Sequence, residues 1–224
     1  EGSEGEPYRT LRTAVRFLDL DGPIRSILIT SPMANEGKTS TAANLALALA
    51  LAGERVILVD ADLRRAGLGR ALGIDSSVGL TSLVLGGVST KDVLHNYAQN
   101  LLVVPSGPLP PNPSEILGSQ LINNFLQELT GFADVVVIDA PPVLPVADAV
   151  ALSAQVDATI LILRHGMTLR SGVAATRRRL EAVGANIVGY VLNGVPRRET
   201  RDYYLDSAYD YTGSRPAEES AAAR

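Results

Sequence analysis

Short apolar runs rich in β-branched residues recur along the chain and predict buried strands. Four strong runs occupy 26–30, 55–60, 135–139 and 158–163, and two weaker runs occupy 101–105 and 185–193. Between them, helical spacing of apolar residues is found in 39–52, 113–130 and 168–183. Strands that alternate with helices predict an α/β fold, in which helices cover both faces of a mostly parallel sheet.

Composition narrows the class of protein. A chain of 224 residues with 46% hydrophobic residues is long enough for one α/β domain, and its net charge of -4 gives no general attraction to nucleic acid. The absence of cysteine excludes disulfides, thiolate metal sites and a cysteine nucleophile, and it suits a reducing cytosol. The two histidines lack the spacing of metal ligands, and no uncharged apolar run reaches the ~20 residues of a membrane span.

The two ends of the chain differ in composition from its middle. The start, EGSEGEP, is acidic and is typical of a linker cut from something longer, and from about Pro196 the sequence becomes polar and rich in tyrosine. We therefore expect three parts: an N-terminal linker and helix at 1–20, a central α/β domain at 21–200 and a tyrosine-rich tail at 201–224.

The segment SPMANEGKTS directly follows the first predicted strand and precedes an alanine-rich helix. A phosphate loop of the pattern G-x-x-x-x-G-K-[ST] needs converging backbone N–H groups, a helix N-terminus behind them and a lysine within reach. Gly37, Lys38 and Thr39 fit the pattern, whereas Pro32 holds the place of its first glycine. Asn35 tolerates left-handed backbone better than most residues. The segment predicts a nucleotide site.

Acidic residues end two of the predicted strands. The run VDADLRR carries Asp60 and Asp62, and the run VVVIDAPP carries Asp139. Ligands of mostly parallel sheets bind at the carboxyl ends of the strands. Beside a phosphate loop, carboxylates can hold the water shell of a metal or act as a base, and the Thr39 hydroxyl can reach Mg²⁺.

With these motifs the chain resembles the bacterial tyrosine kinases that control capsule and exopolysaccharide synthesis. That family shares a P-loop NTPase ancestry with the septum-site and partitioning ATPases. SPMANEGKTSTAANLA resembles its Walker A loop, ILVDADLRR its Walker A′ motif and VVVIDAPP its Walker B motif. PSGPLPPNPSEIL is similar to a stretch between them, and EPYRTLR to the oligomerisation motif E-x-x-R-x-x-R. Ala34 and Asn35 depart from the Pro-Gly of many relatives.

The resemblance implies a role for each matching residue, with ATP and Mg²⁺ as cofactors. Lys38 would grip the β- and γ-phosphates, Asp60 would be the candidate base, and Asn193 would read the adenine edge. The implied catalytic residues are Lys38, Asp60 and Asp62, and the implied metal ligands are Thr39, Asp62 and Asp139. The implied nucleotide contacts are Asn35, Glu36, Gly37, Lys38, Thr39, Ser40 and Asn193.

The tail DYYLDSAYDY carries four of the seven tyrosines of the chain, and they are surrounded by acidic residues rather than by aliphatic ones. These tyrosines are Tyr203, Tyr204, Tyr209 and Tyr211. The resemblance makes them the phosphate acceptors of an ATP-dependent autokinase that acts in trans between subunits.

Glu6, Arg9 and Arg12 are spaced three apart on a predicted helix and so share one face of it. The resemblance implies that this face docks on a neighbouring subunit and closes a ring. It also implies an activator, a membrane-embedded regulator of polysaccharide chain length, either fused or separate. The expected location is therefore the cytoplasm, at the inner face of the plasma membrane, with no nucleic acid as partner.

Two other functions stay open. The first is an ATP-driven switch of the partitioning or septum-site type, but those relatives carry a second lysine early in the loop, and this chain has only Lys38 and Lys91. The second is a scaffold that binds ATP only to assemble a ring. The full set of acidic residues favours the kinase over the scaffold.

Overall fold

The computed structural model describes residues 5–18 and 23–196. Contacts divide the chain into two units, 1–193 and 194–224, and only 194–196 of the second unit lie among the described residues. The four tail tyrosines predicted as acceptors therefore lie outside the described part of the chain.

Strands and helices alternate along the first unit. The strands are β1 Ser26–Thr30, β2 Val56–Asp60, β3 His95–Ala98, β4 Leu101–Val104, β5 Val135–Asp139, β6 Ala158–Arg164 and β7 Ile187–Asn193. The helices are α1 Glu6–Leu18, α2 Lys38–Leu51, α3 Leu68–Leu72, α4 Leu80–Leu85, α5 Pro113–Leu117, α6 Gln120–Phe132, α7 Asp148–Ser153 and α8 Arg170–Glu181. A 3₁₀ turn covers Thr90–Val93.

The described strands form one sheet in the order β3-β4-β2-β5-β1-β6-β7. Every pairing is parallel except that of β3 with β4. The order places β5 between β1 and β2, so the segments that follow these three strands meet at one edge of the sheet. Open parallel sheets bind their ligands at this carboxyl edge.

Successive side chains of each strand point to opposite faces of the sheet, so the strands contribute to two apolar layers. Ile27 and Ile29 of β1 pack with Leu45 of α2 and Val15 of α1 on one face of the sheet. Leu28 of the same strand packs with residues of α6, α7 and α8 on the other face. The central strands are buried on both faces, which is why they form nearly continuous apolar runs in the sequence.

The predicted α/β fold with a mostly parallel sheet is confirmed, and all six predicted strands are present. The helix predicted over 113–130 is two helices, α5 and α6, because the chain breaks at Gly118 and restarts at Ser119, whose Oγ accepts a hydrogen bond from the N–H of Ile122 at 3.4 Å. Strand β3, HNYA, was not predicted because it has no apolar run. Among the described residues, none of the helices has the length and apolar content needed to span a membrane.

Candidate functional site

The loop between β1 and α2 makes its sharpest turns at two residues with left-handed backbone. Asn35 has φ 66° and Gly37 has φ 98°. The left-handed geometry predicted for Asn35 is therefore confirmed. A Cβ on Gly37 would lie 2.0 Å from Nδ2 of Asn193, so glycine is required both for the turn and for this close approach.

Pro32 replaces the usual first glycine without loss, because this position needs an acceptor and not a donor. The carbonyl of Pro32 accepts a hydrogen bond from the N–H of Leu144 at 3.2 Å, and the carbonyl of Ser31 accepts one from the N–H of Val143 at 2.9 Å. The missing N–H of proline is not needed in this pairing. These bonds tie the start of the phosphate loop to the segment that follows β5.

Glu36 and Asn193 hold the loop from behind. The buried Glu36 carboxylate accepts hydrogen bonds from the N–H of Met33 at 2.8 Å and from the hydroxyl of Thr168. The amide Nδ2 of Asn193 donates to the Glu36 carbonyl at 3.1 Å. Neither residue lines the cavity in front of the loop, so their nucleotide contacts stay predictions.

In front of the loop, the described residues enclose a cavity of about 510 Å³. Its lining brings together six residues predicted as site residues, namely Asn35, Gly37, Lys38, Thr39, Ser40 and Asp62. It also includes Arg64, Arg65, Arg70 and the prolines at 141, 142 and 145. Lys38 begins α2 and is only 7% exposed, so its ammonium is held within the wall of the cavity.

The parallel register of β2 with β5 places two carboxyl groups side by side beneath this cavity. Asp60, the last residue of β2, pairs with Asp139, the last residue of β5. Burial, with the charge of Asp139 as the next cause, raises the pKa of Asp60 to about 8. Burial also raises the pKa of Asp139 to about 7, although the Thr39 hydroxyl and the Lys38 ammonium oppose the rise.

Both carboxylate oxygens of Asp139 are buried without a hydrogen-bond partner among the described residues. An orphaned buried carboxylate needs a cation or a proton. Together with the hydroxyl of Thr39 and the carboxylate of Asp62 it offers hard oxygen ligands, and these fit Mg²⁺. The described residues do not form a cage of three or more acidic or histidine ligands, but Mg²⁺ usually keeps waters and substrate phosphates and takes only one or two carboxylates.

Asp60 and Asp62 differ in what their side chains can reach. Asp60 is fully buried, and its two oxygens accept hydrogen bonds from the N–H groups of Asp62 and Leu68, each at 3.2 Å. Asp62 is 8% exposed and lines the cavity. Asp60 thus organises the loop after β2, and Asp62 is the carboxylate of this pair that faces the ligand space.

A polar cluster around Arg64, in the cavity wall, was not predicted from the sequence. Arg64 Nε donates to Oδ2 of the buried Asp148 at 2.7 Å, and a terminal nitrogen of Arg64 donates to Ser114 Oγ at 3.0 Å. Asp148 begins α7, and Ser114 lies in α5, within the stretch PSGPLPPNPSEIL. The one sequence signal was the arginine pair that follows Asp62 and Leu63.

The predicted oligomerisation residues lie on α1, away from the cavity. Arg9 forms an ion pair with Glu6 at 3.5 Å, in which both side chains are more than half exposed. Arg12 instead donates to the carbonyl of Ala48 in α2 at 3.4 Å. The three side chains therefore form a stripe beside α2, and Arg9 and Glu6 remain open to solvent.

Comparison with known proteins agrees with this geometry. A sequence family described as an AAA domain matches residues 25–187. The tyrosine-protein kinase YwqD of Bacillus subtilis is 36% identical over 88% of this chain and 84% of its own length. The tyrosine-protein kinase ptk of Acinetobacter johnsonii is 35% identical over 86% of this chain, but this chain spans only 26% of ptk.

Solved structures give the same result. The chimerical protein CapA2B2 superposes with a TM-score of 0.84 at 33% identity and covers 88% of this chain and 87% of its own. A cobyrinic acid a,c-diamide synthase from Mycobacterium smegmatis, solved with an ATP analogue and magnesium, superposes with a TM-score of 0.68 at 24% identity, over 84% of this chain and 81% of its own. At that identity the second likeness concerns the fold alone.

The orphaned carboxylate predicts a stability that depends on pH. A carboxyl group whose folded pKa is about 7, against ~3.9 when unfolded, stabilises the fold below pH ~4 and loses that contribution as the pH rises through 7. In nucleotide-free protein, Asp139→Asn should therefore raise the melting temperature at pH 8 and change it far less at pH 5. Thermal denaturation at the two pH values measures this, and an equal shift at both would contradict the buried neutral carboxyl.

Proposed function

The chain belongs to the bacterial tyrosine-protein kinases, and from that premise we propose that it transfers the γ-phosphoryl group of ATP to tyrosines of its own C-terminal tail. The observation that carries the proposal is one cavity in which Lys38, Thr39 and Asp62 face the same space above the buried Asp139. The acceptors, Tyr203, Tyr204, Tyr209 and Tyr211, lie in a segment with an aspartate near each pair.

The phosphate loop would bind the nucleotide by its backbone and by one charge. Left-handed turns at Asn35 and Gly37 reverse the chain just before α2, whose free N–H groups and positive dipole end favour anions. The Lys38 ammonium, held in the cavity wall, would stabilise charge on the transferring group. Thr39 and Asp139 would hold Mg²⁺, which neutralises charge on the phosphate oxygens.

A tyrosine hydroxyl has a pKa near ~10 and needs a base to attack at neutral pH. The resemblance assigned that role to Asp60, but both oxygens of Asp60 accept backbone hydrogen bonds beneath the cavity. We therefore assign proton removal to Asp62, which lines the cavity and accepts a backbone hydrogen bond at Oδ1 only, from Arg65. Asp60 positions Asp62 by accepting a hydrogen bond from its N–H.

Assembly and location are part of the same proposal. The exposed pair Glu6 and Arg9 would dock on a neighbouring subunit, so that each tail enters the next cavity of a ring. A membrane-embedded chain-length regulator, fused or separate, would hold the kinase at the inner face of the plasma membrane and couple it to capsule or exopolysaccharide synthesis. Phosphotyrosine content measured with and without membranes that carry this regulator tests the coupling, and an unchanged content would contradict it.

The tail should be the main acceptor. Replacement of Tyr203, Tyr204, Tyr209 and Tyr211 by Phe should remove nearly all autophosphorylation but leave ATP hydrolysis, because the cavity is untouched. Lys38→Met should remove both. Mass spectrometry after incubation with Mg-ATP is the measurement; phosphate found mainly on Tyr8, Tyr97 or Tyr190 would contradict the tail as acceptor. Hydrolysis without any phosphotyrosine would favour the ATP-driven switch.

Asp60 and Asp62 should differ in how much kcat falls when each is changed to asparagine. A positioned base contributes about 10²–10⁴-fold, so Asp62→Asn should lower kcat by that range. Asp60→Asn keeps one acceptor oxygen for its two backbone donors and should lower kcat less. Phosphotransfer at saturating ATP, with the folding of both variants checked by thermal denaturation, measures the difference. A larger loss in Asp60→Asn would return the role of base to Asp60.

The ring should depend on α1. Arg9→Ala/Arg12→Ala should reduce a large unphosphorylated oligomer to smaller species, because it removes two positive charges from the proposed contact. Arg25→Ala/Arg178→Ala, which removes two positive charges from exposed arginines outside this stripe, is the matched control. Light scattering gives the masses. Equal masses for the wild type and the double variant would contradict the proposed ring but not the proposed kinase activity.

A further inference from the structure

Three arginines lie at the mouth of the cavity, on the segment that leads from β2 into α3. Arg64, Arg65 and Arg70 all line it, together with residues of the phosphate loop. Beneath them lie the buried carboxyl groups of Asp60 and Asp139, whose raised pKa values reduce their negative charge at neutral pH. The three arginines give the cavity a positive rim.

One of these arginines, Arg64, is already paired with other side chains of the chain. Arg64 forms an ion pair with the buried Asp148. The hydrogen bond between the two side chains raises the pKa of the Arg64 guanidinium. A second bond to Ser114 fixes the plane of the guanidinium group. Arg64 is therefore part of the wall and has little freedom to follow a mobile ligand.

The other two arginines have no such partner. Arg65 and Arg70 are exposed, and neither side chain has an ion pair or hydrogen bond to any other residue in the described part of the chain. Their backbone, by contrast, is fixed. The N–H of Arg65 donates to the Asp62 carboxylate at 3.1 Å, and the N–H of Leu68 anchors the start of α3 on Asp60.

The two unpaired arginines line the same cavity as Asp62, the proposed base. Lys38 and the helix N-terminus would serve the phosphates, so a surplus of two positive charges remains on the rim formed by Arg65 and Arg70. A peptide that presents tyrosine among carboxylates complements this rim, and the chain itself carries one, with Asp202, Asp206 and Asp210 around its tyrosines.

We propose that Arg65 and Arg70 determine acceptor specificity by binding the carboxylates of acidic tyrosine-containing peptides. The inference rests on the proposed kinase function and adds the substrate class to it. The two arginines act on peptide binding and take no part in phosphoryl transfer. Exposed ion pairs are individually weak, so the two together should favour an acidic acceptor by roughly three- to tenfold.

The experiment compares two synthetic acceptors. One is the tail segment DYYLDSAYDY, and the other replaces its three aspartates with asparagine. The parent enzyme has its own four tail tyrosines changed to Phe, so that phosphate incorporation reports only on the peptide. The quantity measured is the ratio of kcat/KM for the aspartate peptide to kcat/KM for the asparagine peptide.

We expect a ratio of about three to ten for the parent, falling toward one in Arg65→Ala/Arg70→Ala and largely kept in Arg65→Lys/Arg70→Lys. Arg25→Ala/Arg178→Ala removes the same charge from exposed positions outside the cavity lining and should keep the parent ratio. Added salt should lower the parent ratio, because exposed charges are screened.

Three outcomes would overturn the inference. The first is a ratio near one in the parent, and the second is an equal loss in the control double variant. The third is a rise of KM for ATP in Arg65→Ala/Arg70→Ala that accounts for the whole effect, since the arginines would then serve the nucleotide. Failure of the parent to phosphorylate either peptide would instead overturn the kinase function, and with it this inference.

Discussion

The parallel register that pairs Asp60 with Asp139 forces two carboxyl groups into the interior at the same edge of the sheet. Burial raises the pKa of both carboxyl groups, and the charge of Asp139 adds to the rise for Asp60. Neighbouring polar and charged groups compensate in part for the burial of the two carboxyl groups. The charge of Lys38 opposes the rise in the pKa of Asp139, and backbone N–H groups donate to Asp60. The carboxylate of Asp139 still lacks a hydrogen-bond partner among the described residues, which suits a divalent cation that arrives with its nucleotide.

The phosphate loop shows which parts of its sequence pattern are physically required. The first glycine is dispensable here, because the residue in that place serves through its carbonyl and packs near Gly172. The second glycine is not dispensable, because Gly37 has a left-handed backbone and touches Asn193. Asn35 supplies the other left-handed turn, a backbone conformation that glycine adopts most readily. A pattern match that ignores these reasons would reject this loop.

Much of the fold and part of the site could be predicted from the sequence. Apolar runs revealed β1, β2 and β5 because strands buried on both faces must be apolar throughout, and the aspartates that end them had to share an edge. Side-chain direction could not be predicted in the same way. Nothing local shows that Glu36 turns into the protein while Asp62 faces the cavity. The partner of Arg64 is 84 residues away in the chain, so only the folded structure reveals it.

Helix α2 has Lys38 at one end and lies against α1 near the other, where Ala48 accepts a hydrogen bond from Arg12. Ten residues of α-helix separate these points by about 15 Å and fix their relative rotation. One inserted residue would turn the lysine by about 100° relative to the α1 contact. The length of α2 is therefore tightly constrained. We expect functional relatives to differ in the amino-acid composition of this helix but not in its number of residues.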